Sequence, residues 1–95
     1  MAHRAALKER EALPDAVFQE FGAVEEAIRI NPYAPEFVRK REAGWGRRTV
    51  LEAETTYQGT HYRMAWEVVD ADNIVVWAYG SHEGFHRRLA RRARQ

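Results

Sequence analysis

The sequence predicts an α+β domain, in which an N-terminal helical hairpin packs on a small antiparallel β-sheet of three to four strands and a short basic helix follows. Three observations favour this class. Apolar residues recur at helical spacing up to residue 30, and they alternate at strand spacing from residue 49 onward. The predicted strands are joined by short polar turns, which connect antiparallel neighbours. The 95 residues fit one domain that spans residues 1–95.

Two helices are predicted within the first 30 residues. The first ends at Leu13, because the residue before a proline avoids the α-helical region. Pro14 then lies in the first turn of the second helix, where the missing N–H is tolerated. The apolar face of this second helix comprises Val17, Phe21, Val24 and Ile28. Asn31 and Pro32 end it.

Three strands are predicted after the hairpin. Residues 49–55 alternate and are rich in β-branched side chains, and residues 58–60 form a turn. Residues 62–68 then alternate between an apolar face and a mixed face. After a second turn at residues 70–73, residues 74–79 are apolar on both faces, which predicts a strand that is covered on both sides. The apolar face of the sheet is expected to carry the helical hairpin.

Charge is distributed unevenly along the chain. Residues 1–36 hold four Lys/Arg against seven Asp/Glu, whereas residues 37–95 hold eleven against seven. A helix predicted over residues 83–94 carries most of the C-terminal arginines. A basic half of this kind favours a polyanion or an acidic protein as partner, and a solvated charged surface is the alternative. The candidate partner-binding residues are Arg87, Arg88, Arg91 and Arg92.

Several function classes are disfavoured by composition. The chain has no cysteine, so it has no disulfide and no thiolate zinc site, as is common in the cytoplasm. Its longest apolar run is six residues, far short of a membrane span, and no secretory signal is apparent. Neither a phosphate-binding glycine loop nor a zinc-enzyme histidine pattern is present. We therefore expect a cytoplasmic protein with no metal, no cofactor and no membrane partner.

Three stretches of the chain together resemble the RelE/ParE toxin superfamily. The first is residues 4–35, a helix–Leu-Pro–helix followed by Asn-Pro-Tyr-Ala-Pro. The second is HYRMAWEVV at residues 61–69, and the third is NIVVWAYGSHEGFHR at residues 73–87. The family has a β-strand before its helical hairpin. Only three residues precede Arg4 here, so we expect that strand to be missing or very short.

The resemblance implies the toxin of a type II toxin–antitoxin pair, bound by a cognate antitoxin in a hetero-oligomer or forming a homodimer. Many members of this superfamily cleave mRNA on the ribosome without a metal, and the ParE branch instead poisons DNA gyrase. We favour the ribonuclease. The alternatives are a gyrase inhibitor or a catalytically silent member that acts by binding protein, and a basic nucleic-acid-binding accessory protein of the same fold.

Arg63 is the first candidate catalytic residue. Metal-free cleavage of RNA requires a general base, a general acid and a fixed cation beside the phosphate. The resemblance aligns Arg63 with an arginine implicated in phosphate stabilisation in the ribonuclease members. Strand alternation predicts that it lies on the face that the core does not fill, so its removal should leave the fold intact. The alternative is a solvated arginine paired with a nearby glutamate, for which Glu52, Glu54 and Glu67 are the candidates.

His82 and His86 are the other candidate catalytic residues. In the family, the segment after the last strand carries a basic residue and then, a few positions later, often a tyrosine. His82 and His86 occupy these positions here. An imidazole titrates near neutral pH and serves as either acid or base. The alternative is that His82 caps the end of the strand and His86 is exposed on the helix.

A basic loop is the candidate RNA-binding surface. The ribosome-dependent members hold the RNA backbone with lysines and arginines in this region. The residues concerned are Arg39, Lys40, Arg41, Arg47 and Arg48, and a solvated charged face is the alternative. Trp45 lies between two glycines of the same loop. A large aromatic side chain there stacks on a base, fills the groove of a partner or folds back on the core.

Overall fold

The computed structural model describes residues 1–94 and confirms the α+β class. Within these residues it has three helices and four strands: α1 (Arg4–Glu11), α2 (Asp15–Ile30), β1 (Lys40–Arg41), β2 (Thr49–Tyr57), β3 (Thr60–Asp70), β4 (Asn73–Ser81) and α3 (Phe85–Ala93). The strands form one sheet in the order β1-β2-β3-β4, and each strand is antiparallel to its neighbour. None of the helices among the described residues is long and apolar enough to cross a membrane.

The sharpest turn of the sheet joins β2 to β3. Tyr57 pairs with Thr60, which leaves only Gln58 and Gly59 in the loop. Both residues have positive φ angles, 50° and 78°. A two-residue hairpin loop whose twist matches that of the flanking strands requires positive φ at both positions. This turn fixes the register in which Glu52 lies opposite Ala65 and Glu54 lies opposite Arg63.

The boundaries of the helical hairpin differ slightly from the sequence expectation. The first helix ends at Glu11, two residues before Leu13. Pro14 is not in the first turn of α2, because its backbone is extended with ψ 147° and it caps the helix from outside. Its carbonyl accepts the hydrogen bond of Phe18 N at 2.9 Å, so Pro14 starts the helix without entering it.

The N-terminal residues lie beside β4. Ala2 forms a single parallel bridge with Val76, and the nitrogen of His3 donates to the carbonyl of Val76 at 2.9 Å. In turn, the nitrogen of Val76 donates to the carbonyl of Met1. This bridge stands where the sequence predicts a missing or very short strand.

The sheet is covered on both faces. The helical hairpin covers one face, where Phe21 and Ile28 pack in a core that includes Met64 and Trp66. Helix α3 covers the opposite face through a second, smaller cluster, which comprises Val50, Ala65, Ala78, Phe85, Leu89 and Ala93. Strand β4 lies between α1 and α3, which explains why its sequence is apolar on both faces.

The expectation that the Arg63 face of β3 is free of core is wrong. Ala65 on that face is fully buried beneath α3. Because alanines occupy facing positions 65 and 78 on β3 and β4, the helix can approach the sheet closely. Arg63 and its neighbours on this face therefore lie beside a packed helix.

Candidate functional site

Four polar side chains converge on the α3 side of the sheet, and we call them the Glu52 cluster: Glu42, Glu52, Arg63 and His86. Glu52 lies on β2 and Arg63 on β3, and strand alternation directs both to this face. Glu42 follows β1, and its nitrogen donates to the carbonyl of Val50 at 2.8 Å. This pairing continues the β1–β2 register, so Glu42 shares the face of Glu52. His86 lies in the first turn of α3.

Glu52 is the centre of the cluster. Its side chain is 1% exposed, although carboxylates are rarely buried. Its Oε1 accepts a hydrogen bond from Arg63 Nη1, and its Oε2 lies 3.0 Å from His86 Nε2. Burial alone would raise the pKa of Glu52, but its hydrogen bonds with Glu42 and His86 and the charge of Arg63 outweigh burial and lower that pKa. Glu52 is therefore held as an anion that binds Arg63 and His86 together.

Arg63 is held by two carboxylates. Besides Glu52, its Nη2 lies 3.2 Å from Oε2 of Glu54, and its side chain is 15% exposed. Its Nε is buried and has no hydrogen-bond partner among the residues that the structure describes. The guanidinium thus contributes a fixed positive charge within the sheet, and its two Nη nitrogens face protein carboxylates.

Glu42 is the carboxyl group that the cluster satisfies least. Its side chain is 8% exposed, and its Oε1 lies 3.3 Å from His86 Nε2. Within residues 1–94 this Oε1 makes no hydrogen bond, and the nearest cation to Oε2 is Lys40 Nζ at 3.7 Å. Burial and the adjacent Glu52 carboxylate raise the pKa of Glu42 to about 7.

His86 and His82 lie side by side at the edge of the cluster. Their ring centroids are 6.1 Å apart, and the rings are nearly perpendicular. His82 is exposed, and its backbone N–H donates to the carbonyl of His61, which extends the pairing of β3 and β4 beyond the end of β4. His86 is partly exposed, so one side of its ring faces solvent while Nε2 faces the two glutamates. The structure thus brings together all three residues predicted to be catalytic.

Two of the five basic residues predicted to bind RNA are paired with glutamates of the protein itself. Arg48 is held by Glu67 through two hydrogen bonds of 3.0 and 2.6 Å, and Trp77 Nε1 donates to the same carboxylate at 3.1 Å. Lys40 lies near Glu42. The remaining members of the set, Arg39, Arg41 and Arg47, are exposed on the segment that flanks the Glu52 cluster.

Trp45 folds back on the protein. Two guanidinium groups lie over its ring, with the Cζ of Arg94 at 4.2 Å and that of Arg48 at 5.1 Å from its centroid. It also packs against the cluster of apolar residues beneath α3. These contacts hold the indole against the protein.

The predicted partner-binding arginines divide into two pairs. Arg92 binds Glu9 of α1 through two hydrogen bonds of 2.7 and 2.8 Å, and Arg88 Nε lies 3.1 Å from the same carboxylate. These two tie α3 to α1 across the edge of β4. Arg87 and Arg91 are exposed.

Two members of the Glu52 cluster were not among the residues that the sequence predicted to be functional. Glu52 was predicted only as one of the candidate partners of Arg63, and Glu42 was not predicted to have any role. One signal was available for Glu52: strand alternation places it on the same face as Arg63. For Glu42 the only signal was its place directly after the first basic residues of the predicted RNA-binding loop.

Comparison of the chain with protein-family models, with characterised proteins and with solved structures finds no match.

Proposed function

We propose that this protein is the toxin of a type II toxin–antitoxin pair and that it cleaves mRNA on the ribosome through metal-free acid–base chemistry. The observation that carries the proposal is the shared carboxylate of Glu52, which holds Arg63 and His86 within one cluster at the surface of the sheet. The order of elements, a helical hairpin followed by an antiparallel sheet and a basic helix, agrees with the same family.

The cluster supplies the groups that cleavage requires. The 2′-hydroxyl of the RNA must lose a proton, the phosphate gains negative charge, and the departing 5′-oxygen must receive a proton. His82 and His86, with centroids 6.1 Å apart, provide two imidazoles on the same side of the cluster, one for each proton transfer. Arg63 provides the fixed positive charge behind them. Glu52 orients the ring of His86, as the carboxylate does in other acid–base sites.

The basic segment beside the cluster suits an RNA backbone. Arg39 and Arg41 are exposed immediately before Glu42, and Arg47 is exposed on the same loop. A guanidinium group binds two phosphate oxygens at once and keeps its charge at every physiological pH. We infer that the mRNA backbone follows this segment and presents one phosphate to the two histidines.

The proposal is tested by incubating the protein with programmed ribosomes and mapping cleavage of the mRNA. We expect the wild type to cut mRNA in the decoding site and His86→Gln to lose cleavage while it retains the wild-type melting temperature. Arg29→Gln is the matched control, because Arg29 is exposed on α2 and belongs to the opposite side of the molecule from α3. Intact cleavage by His86→Gln would contradict the proposal.

A second function is favoured by one specific observation. Arg63 is largely buried, and its charge is already balanced by Glu52 and Glu54, so it is poorly placed to bind a phosphate. That arrangement suits a member of the family that acts by binding protein, as an inhibitor of DNA gyrase does. In this case the wild type inhibits supercoiling by purified gyrase and leaves ribosome-bound mRNA intact.

A further inference from the structure

We propose that Glu42, Glu52 and His86 form a three-ligand binding site for a divalent transition-metal ion such as Zn²⁺. Each of the three residues offers one ligand atom, and the three atoms lie within 4.8 Å of one another. The binding of the ion does not depend on the proposed ribonuclease function, because it follows from these three side chains alone.

The spacing of the ligand atoms matches a coordination sphere. His86 Nε2 lies 3.0 Å from Glu52 Oε2 and 3.3 Å from Glu42 Oε1. Zinc binds nitrogen and oxygen at about 2.0–2.2 Å, so ligand atoms around a tetrahedral ion lie about 3.3 Å apart. Both distances are close to this edge length.

Glu42 gives an independent indication that the three side chains bind a cation. Its side chain is more than nine-tenths buried, and its Oε1 is directed at His86 Nε2. This oxygen makes no hydrogen bond to any of residues 1–94. A buried carboxylate oxygen without a partner is costly, and a metal ion coordinated by it removes that cost.

The surroundings support the same ligand set. Arg63 binds Oε1 of Glu52 and leaves Oε2 for the ion, so it fixes the orientation of the ligating carboxylate. His86 is partly exposed, which leaves an entry path from solvent and an open coordination position for water. The four residues of the cluster thus provide both the ligands and their support.

The donor set indicates the class of ion. An imidazole with two carboxylates suits zinc, iron or manganese, whereas calcium and magnesium prefer oxygen ligands alone. With the ion on Nε2 of His86, the one remaining ring proton stays on Nδ1, so the imidazole no longer gains and loses a proton near neutral pH. If the proposed ribonuclease function holds, the ion therefore blocks proton transfer by His86 and inhibits cleavage.

The experiment is isothermal titration of the full chain with ZnCl₂, in the absence of RNA, with MgCl₂ as the comparison ion. We expect saturation at one Zn²⁺ per chain, a rise in melting temperature with Zn²⁺ and no saturable binding of Mg²⁺. Glu42→Gln should weaken Zn²⁺ binding by about 100-fold, since removing a ligand costs at least as much as removing a residue that supports one. Because Glu42 Oε1 makes no hydrogen bond within residues 1–94, this variant should keep the wild-type fold in EDTA.

His61→Ala is the matched control, because His61 also lies beside a glutamate, with Nδ1 3.4 Å from Glu54 Oε1, but belongs to no three-ligand group among residues 1–94. It should bind Zn²⁺ like the wild type, while His86→Ala should bind like Glu42→Gln. The proposal is overturned if the wild type shows no saturable Zn²⁺ binding, or if Glu42→Gln and His86→Ala both bind as tightly as the wild type. Since no RNA is present, either result leaves the ribonuclease proposal to be judged by cleavage alone.

Discussion

Glu9 connects three elements of the fold, and its replacement by alanine should destabilise the protein strongly. Its Oε1 accepts hydrogen bonds from Arg92 Nη1 at 2.7 Å and from the nitrogen of Tyr79 at 3.2 Å, and its Oε2 accepts one from Arg92 Nη2 at 2.8 Å. Arg88 Nε lies 3.1 Å from Oε2. Glu9→Ala therefore removes the link between α1 and α3 and leaves the amide of Tyr79 without its acceptor.

The magnitude follows from the burial of these groups. The side chains of Glu9 and Arg92 are 20% and 15% exposed, so solvent screens their interaction only in part. Breaking a buried ion pair costs about 3–5 kcal/mol, whereas an exposed pair contributes about 0–1 kcal/mol. We expect a loss of roughly 2–3 kcal/mol for this partly buried pair. In a domain of this size, that loss lowers the melting temperature by about 10–20 °C.

Thermal and urea unfolding monitored by circular dichroism measure this loss. The control is Glu26→Ala, because Glu26 pairs with Arg29 at 3.5 Å and both side chains are largely exposed. We expect the control to change stability by less than about 0.5 kcal/mol. If Glu9→Ala melts within a few degrees of Glu26→Ala, the bridge across the edge of β4 does not stabilise the fold and the reasoning is wrong.

Three further predictions concern stability. Burial opposes ionisation of Glu9, but its hydrogen bonds with Arg92 lower its pKa in the folded state. The folded protein then binds fewer protons than the unfolded chain, so the stability that Glu9 contributes is lost as the pH falls below about 4.5. Glu9→Gln should therefore flatten the acid side of a curve of unfolding free energy against pH. Gly22→Ala in the middle of α2 should raise the melting temperature by about 3–6 °C, because the added methyl group meets no described atom within 4 Å apart from the adjoining residues and backbone of its own helix, and alanine is the better helix former. Arg63→Ala should lower the free energy of unfolding by about 3–5 kcal/mol in urea, since it leaves Glu52 buried without its cation. Arg63→Lys should recover part of that loss. Equal stability of Arg63→Ala and the wild type would contradict the burial of this ion pair.

The sequence predicted the helical hairpin and the three long strands because each has a strong local period. The apolar face of α2 and the alternation in β3 do not depend on the rest of the chain. The covering of the second face was not predictable in the same way. Ala65 lies between Arg63 and Glu67 on one face of β3, a pattern typical of a solvated face. Only the docking of Phe85 and Leu89 makes it a core position.

The candidate site was predictable only in part, for a related reason. Arg63 and His86 are residue types that carry chemistry, and each occupies a position that the family resemblance marks. A glutamate on a strand, by contrast, is usually solvated, so nothing local distinguishes Glu52 from Glu54. Glu42 reaches the site through the pairing of β1 with β2, a two-residue strand that leaves almost no pattern in the sequence.

A double-mutant cycle on the rate of mRNA cleavage tests most directly the proposal that Arg63 and His86 act as one unit through Glu52. We expect Arg63→Lys and His86→Gln each to lower the rate by about 100-fold or more, and the double variant to be no slower than the slower single variant. Two effects that multiply would show that the residues act independently. Absence of cleavage by the wild type would contradict the ribonuclease itself.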